Sequence, residues 1–208
     1  MALNRKLKMG MVGGGKDAFI GAVHRNAALM DGKVELVGGA LSSDPEKAKS
    51  SARDLLISDE RSYGTWQEMA ERESKLPEGE RIDYVSIVTP NFMHFPIAKG
   101  FAEAGINVIC DKPMTYTLQE AQDLVDIINT TGVVFALTHN YTGYPMVKQA
   151  RHMVRTGKIG DILKIVVEYP QGWLMTALED EDHKQASWRT DPNRSGVSNC
   201  IGDIGSHC

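Results

Sequence analysis

Several short stretches of this sequence combine residue types that can act together on a ligand. Gly13-Gly14-Gly15-Lys16-Asp17-Ala18 fits G-x-G-x-x-[G/A], with Gly13, Gly15 and Ala18 in the three key positions. Such a turn brings the backbone close to a pyrophosphate, and a helix opening behind it supplies free N–H groups and a partial positive charge. Three glycines in a row also make an ordinary flexible turn. The place of this one, after a first strand and before a first helix, favours the dinucleotide reading. Thr89-Pro90-Asn91-Phe92-Met93-His94 follows a later apolar run, and Cys110-Asp111-Lys112-Pro113 ends the next. Polar residues at the carboxyl ends of parallel strands face the crevice where ligands lie. Thr89, Asn91 and His94 would face a ligand there, and Lys112 would present an ammonium. Plainer roles stay open: Asn91 as a helix cap, His94 as a first-turn residue, Lys112 as a solvated lysine. Finally, Asp203 and His207 are four residues apart in Gly202-Asp203-Ile204-Gly205-Ser206-His207. On one helix that spacing puts carboxylate and imidazole on the same face; a helix-start cap with an incidental histidine has the same spacing.

The end of the second strand should carry the residue that reads the ribose. An acidic side chain there accepts bonds from the hydroxyls and repels a 2′-phosphate. Here Leu41 is followed by Ser42 and Ser43, and Asp44 is placed as a helix cap. Neither that carboxylate nor an arginine for a 2′-phosphate is present. The cofactor therefore reads as NAD or NADP, leaning slightly to NAD.

The elements that must position these residues follow from hydrophobic periodicity. KMGMV (8–12), VELVGGAL (34–41), DYVSIV (83–88), NVICD (107–111) and VVFAL (133–137) read as strands. Between them lie helical stretches: 19–30, where Phe19, Ala22, Val23, Ala27 and Met30 keep helical spacing, one opened by Ser43-Asp44-Pro45, then about 65–75, 95–104 and 117–130. Strands apolar on both faces and separated by helices predict an α/β fold with a doubly wound parallel sheet. Met146 to Arg155 continues as a helix, and ILKIVVEYP (162–170) reads as a strand that opens a second sheet. Residues 1–138 are thus expected to form a dinucleotide-binding domain and 139–208 the start of a second, α+β domain. Because the chain stops after GDIGSHC with nothing to complete that sheet, it reads as a fragment. In isolation it is expected to be poorly active and prone to aggregate through exposed edges.

Composition narrows the function. The 208 residues carry 23 Lys+Arg against 27 Asp+Glu, a net charge of −4, and the pI is near 5.9. A mildly acidic chain has no electrostatic footing on a phosphate backbone, so nucleic acid is not an expected partner. The longest apolar run, Val133 to Leu137, is far short of a bilayer span. No apolar stretch of signal-peptide length follows the basic N-terminus, so a cytoplasmic location is expected. The three cysteines, Cys110, Cys200 and Cys208, form no CxxC pair. Cys110 reads as a small buried hydrophobe, and no metal site is expected.

Taken together, the Gly turn, TPNxxH, DKP, the Trp188-Arg189 pair and GDIGSH resemble the Gfo/Idh/MocA family of nicotinamide-dependent oxidoreductases, over nearly the entire chain. AFIGAVHR after the glycines and QASWRTDP are similar to a subgroup acting on sugars or cyclitols. The resemblance implies a Rossmann domain, then a domain with a large, mostly antiparallel sheet that binds a small sugar or polyol and commonly forms a homo-oligomer interface. It implies catalytic roles for Lys112, Asp203 and His207. It also implies cofactor contacts from the Gly turn with Phe19 and Ile20 behind it, from Ser42, from Thr89, Asn91 and His94, and from Asp111 and Lys112. Trp188-Arg189 resembles a pair that reaches back over the cofactor. DKP stands where the family usually has EKP, so Asp111 is a shortened acidic neighbour. In this reading His207 is the general base, Asp203 orients it, and Lys112 stabilises the developing alkoxide over a nicotinamide ring. Two other readings are an NAD-dependent glycosidase working by transient oxidation and a non-catalytic dinucleotide-binding protein.

Overall fold

The computed structural model describes residues 4–172, 175–181, 184–196 and 199–208. The chain divides into two compact units, Met1–Leu137 and Thr138–Cys208.

The first unit is an α/β Rossmann fold. Five strands, β1 (Leu7–Gly13), β2 (Val34–Ala40), β3 (Tyr84–Val88), β4 (Asn107–Cys110) and β5 (Phe135–Leu137), form one parallel sheet in the order β2-β1-β3-β4-β5. Side chains alternate across it. In β3, Val85 and Ile87 join the core on one face and Tyr84 and Val88 the core on the other. The first face is covered by α3 (Trp66–Ser74), α4 (His94–Glu103) and α5 (Leu118–Thr131), which bury Met69, Ile97, Phe101 and Leu124. The second is covered by α1 (Phe19–Leu29) and α2 (Pro45–Asp54), with Ile20, Ala28 and Ala52 against Met9 and Met11. Each of the large, fully buried side chains, Met69, Ile97, Phe101, Leu124, Met9 and Met11, stabilises by roughly 1.5–3 kcal/mol relative to exposure.

Helix ends follow local chemistry. The Asp44 carboxylate accepts from Lys47 N at 2.8 Å with Pro45 in the first turn. Thr117 and Glu120 form a capping box on α5, which ends at Gly132 with φ 70°.

One sequence expectation is corrected, and one helix packs through a face that its spacing did not mark. Helix α1 is where its spacing predicts, but Phe19, Ala22, Val23, Ala27 and Met30 are exposed. The inward positions are Ile20, Gly21, His24, Arg25 and Ala28, so this helix turns polar and small residues toward the sheet. In the second unit, α6 (Pro145–Arg155) forms as expected, but residues 162–170 are not a strand. Leu163, Ile165, Val166 and Val167 are all exposed. A strand exists only with a ladder partner, and none is present among the described residues. The described part of this unit is helical: α6, α7 (Lys184–Arg189), α8 (Pro192–Ser195) and α9 (Asn199–Asp203), with short 3-10 turns.

Candidate functional site

Sheet register gathers the predicted residues of the first unit at one edge. Gly13 pairs with Val88, Val12 with Ala40, and Ile87 with Cys110. The strands being parallel, the Gly turn, Ser42, Thr89 and Asp111-Lys112 all leave the carboxyl edge side by side, about 4.8 Å apart per strand.

The turn after β1 has Gly13 and Gly14 at φ 80° and 74°, a region that side chains disfavour. Gly15 N donates to Leu41 O at 3.1 Å, and Lys16 N to Ser51 Oγ at 3.0 Å, so β2 and α2 hold the turn. Ala18 is the N-cap of α1, where no side chain caps the helix and no acid occupies the first turn. The first-turn N–H groups, including those of Phe19 and Ile20, have no intrahelical acceptor, which suits a pyrophosphate. Phe19's side chain is exposed, whereas that of Ile20 packs on the core.

Two further residues shape this turn and escape the G-x-G-x-x-[G/A] reading. A Cβ on Gly21 would collide with the Gly14 backbone, so Gly21, not Ala18, permits the closest approach of helix to turn. Arg25 Nη1 donates to Gly14 O at 2.7 Å, and burial pushes its pKa down. The only sequence signal for either was a glycine and an arginine on what spacing made the polar side of α1.

Beyond β2, Ser42 Oγ accepts from Asp44 N at 3.1 Å, and Asp44 is committed to capping. Lys47 Nζ lies 2.7 Å from Asp17 and Lys16 Nζ 2.9 Å from Asp54. Beyond β3, the buried Thr89 Oγ1 has no hydrogen-bond partner among the described residues. Asn91 is buried in a 3-10 turn, and the cap position of α4 belongs to Met93, so Asn91 is not that helix's cap. His94 is only 1% exposed, with Nδ1 2.6 Å from Pro113 O and Nε2 2.9 Å from Thr89 O. Burial pushes its pKa down, against the opposing pull of those two carbonyls. With both ring nitrogens turned to backbone, His94 is a brace within the sheet edge.

Beyond β4, Asp111 N donates to Ile87 O at 3.0 Å, extending the β3 pairing by one residue, and Asp111 Oδ1 accepts from Lys112 N at 3.0 Å. The Lys112–Pro113 peptide bond is cis. The same Oδ1 lies 3.8 Å from His24 Nε2, while His24 Nδ1 is 2.9 Å from Ser86 Oγ. A polar line thus runs from the centre of β3 through α1 to the shortened acid beside Lys112. His24 was not singled out from sequence.

The second unit carries the remaining candidates. Trp188 and Arg189 end α7, with the guanidinium 4.5 Å from the Trp188 ring. Arg189 Nε is 3.7 Å from Asp203 Oδ2. Asp203 and His207 do not share one helix. Helix α9 stops at Asp203, and Gly205–His207 is a separate 3-10 turn. Tyr141, whose ring lies 4.4 Å from that of His207, and His139 at 5.8 Å escaped sequence reasoning. A 2.6 Å hydrogen bond with Tyr169 raises the Tyr141 pKa to about 12, with burial and nearby Tyr144 and Asp203 adding. Among the described residues no group of three or more His, Cys, Asp or Glu is placed to hold a metal ion, and no helix is long and apolar enough to cross a membrane.

Comparison with known proteins agrees with this fold. Residues 7–139 match the GFO_IDH_MocA family model, described as "Oxidoreductase family, NAD-binding Rossmann fold", and residues 147–208 the "GFO/IDH/MocA C-terminal domain". The uncharacterized oxidoreductase YfiI of Bacillus subtilis is 35% identical over 99% of this chain and 52% of its own length. Levoglucosan dehydrogenase of Pseudarthrobacter phenanthrenivorans is 30% identical over 98% and 49%. The inositol dehydrogenase homologue of Azotobacter vinelandii, solved with NAD+, superposes at a TM-score of 0.93 with 35% identity over 99% of this chain and 52% of that one. Solved with NADH and myo-inositol, it gives 0.88, with 34% identity over 99% and 51%. The chain spans about half the length of the curated relatives it matches. With its NAD-binding Rossmann sheet and the motifs set along that sheet's carboxyl edge, the chain belongs to the Gfo/Idh/MocA family of oxidoreductases.

Proposed function

We propose that this protein is an NAD-dependent dehydrogenase that oxidises a secondary alcohol of a sugar or cyclitol. The observation that carries the reading is the sheet register. The Gly turn and Lys112 leave strand ends on the same carboxyl edge, β1 and β4 flanking β3, which supports a turn for phosphate beside a lysine for the reacting oxygen. Relatives named for inositol and levoglucosan support the substrate class.

NAD, when bound, accepts a hydride at C4 of its nicotinamide. The chain's own residues deal with the proton and the charge. The Gly turn and the N-terminus of α1 hold the pyrophosphate, and Arg25 keeps the Gly14 carbonyl in place. His207 takes the hydroxyl proton, since an imidazole titrates near working pH. Asp203, fixed by Arg189, orients His207 or holds a neighbouring hydroxyl. The Lys112 ammonium donates a hydrogen bond to the reacting oxygen and stabilises its developing negative charge. In the reduction direction His207 is the acid and Lys112 the electrophile.

The test is a polyol and sugar panel, including myo-inositol and levoglucosan, run with NAD and NADP separately and read at 340 nm. Reduced cofactor accumulating with NAD supports the proposal. Sugar release without net absorbance change would replace it with hydrolysis by internal oxidation and reduction. A flat trace with every compound and bound NAD would leave a binding protein.

A further inference from the structure

His94 is a buried titratable group that the chemistry above does not use. It opens α4 and is 1% exposed, and its ring bridges two backbone carbonyls: Pro113 O at 2.6 Å from Nδ1, and Thr89 O at 2.9 Å from Nε2. Both carbonyls can only accept, and a neutral imidazole has a single N–H. A neutral ring can therefore donate to only one of them, and the shorter contact is the one to Pro113 O. Thr89 continues β3, and Pro113 follows Lys112 directly. On the other side of Lys112, the chain is already fixed by Asp111 N on Ile87 O and by Lys112 N on the Asp111 carboxylate. A bond donated from Nδ1 to Pro113 O thus holds the residue after Lys112 to the start of α4, the helix that follows the strand anchoring the residue before it.

We propose that His94 is a positioning residue for Lys112: its Nδ1–H donates to Pro113 O and fixes the turn that aims the lysine ammonium. This rests on the role given to Lys112 above, and it differs from the cofactor contact expected of His94 from sequence. A positioning group acts on turnover, because a reacting group displaced by about 1 Å can cost up to 10²-fold. A cofactor contact acts on NAD affinity.

Two substitutions separate the ring nitrogens. The amide nitrogen of His94→Asn falls near Nδ1 and can still donate to Pro113 O, while that of His94→Gln falls near Nε2 and reaches Thr89 O instead. In the intact protein, His94→Gln is expected to lower kcat by about tenfold or more, with the NAD Kd, read by fluorescence titration, within about twofold. His94→Asn should lose clearly less. Equal losses in the two variants, or a loss of NAD affinity that accounts for the lost turnover, would overturn the proposal. A measurement on the unaltered protein keeps it testable should either variant fold poorly. The ¹⁵N shifts of His94 should show Nδ1 protonated; a neutral ring carrying its proton on Nε2 would overturn it. Lys112→Met run in parallel separates the two levels. If Lys112→Met keeps turnover, the functional reading has failed. If it abolishes turnover and His94→Gln does not, only the positioning role has.

Discussion

At the scale of single residues, the chemistry assigned here divides between holding charge and moving a proton. Lys112→Met removes the only group given the task of stabilising alkoxide charge, and His207→Ala removes the base. Each should lower turnover by on the order of 10²-fold or more, measured as initial rates of NADH formation. NAD binding should survive the His207 change, because that residue is given no cofactor contact. Lys112 stands out as a candidate in the sequence because its type and its place at a strand end carry the suggestion, whereas His207, in a 3-10 turn, stands out only through the motif resemblance. His24, Arg25 and Tyr141 do not stand out. Each acts through a contact made across the fold, His24 toward Asp111, Arg25 on the Gly14 carbonyl, and Tyr141 beside His207, and no local pattern encodes such a meeting. His94 stands out in the sequence as a site candidate and not as a brace, because its partners are backbone atoms 5 and 19 residues away.

At the scale of elements, α1 shows why helical spacing finds a helix without finding its inner face. Its apolar residues mark a stripe, but the turn it packs against leaves room only for glycine at position 21. The inner face is chosen by that steric fit and by the partners waiting for His24 and Arg25. Gly21→Ala should therefore push helix and turn apart. The expected cost is about 1–3 kcal/mol of stability, as for other overpacked sites, together with weakened NAD binding, read by thermal melts and a cofactor titration. The cap of α2 could be read directly, since a cap is a contact over three residues. Residues 162–170 were misread for the opposite reason: strand-like composition states a preference, and pairing needs a partner that lies elsewhere in the chain.

At the scale of the whole molecule, the parallel sheet of the first unit separates function from stability along the strand direction. The candidate site lies at the carboxyl ends. At the amino ends, two polar clamps fasten the chain. Glu73, fully buried, accepts from Arg61 at 2.5–3.0 Å, from Tyr63 OH at 2.6 Å and from Ile82 N at 3.0 Å. Glu73→Ala would strand the Arg61 guanidinium and the other donors, at about 3–5 kcal/mol, seen as a shifted denaturant midpoint. Asp83 accepts from Arg5 at 2.6 and 2.7 Å and from Lys8 N at 2.7 Å. Chiefly through Arg5, its carboxyl is held below the ordinary carboxylate range. Its contribution to stability is complete above that range and is lost as pH falls through its own lower value. Asp83→Asn should therefore lower stability at neutral pH and flatten the acid limb of a pH–stability curve, with the NAD Kd unchanged. An acid limb of unaltered slope would contradict this.

The thiol of Cys110 lies under β4 with no exposed surface, and burial, reinforced by Asp111, lifts it well above the usual thiol range. A native molecule therefore shields this sulfur twice over, from contact with a reagent and from forming the thiolate that would attack one. Its alkylation becomes a clock for the opening of the sheet. The rate at which iodoacetamide marks position 110 counts how often the strand beneath the candidate site comes undone, and a cofactor that grips that edge should slow the count.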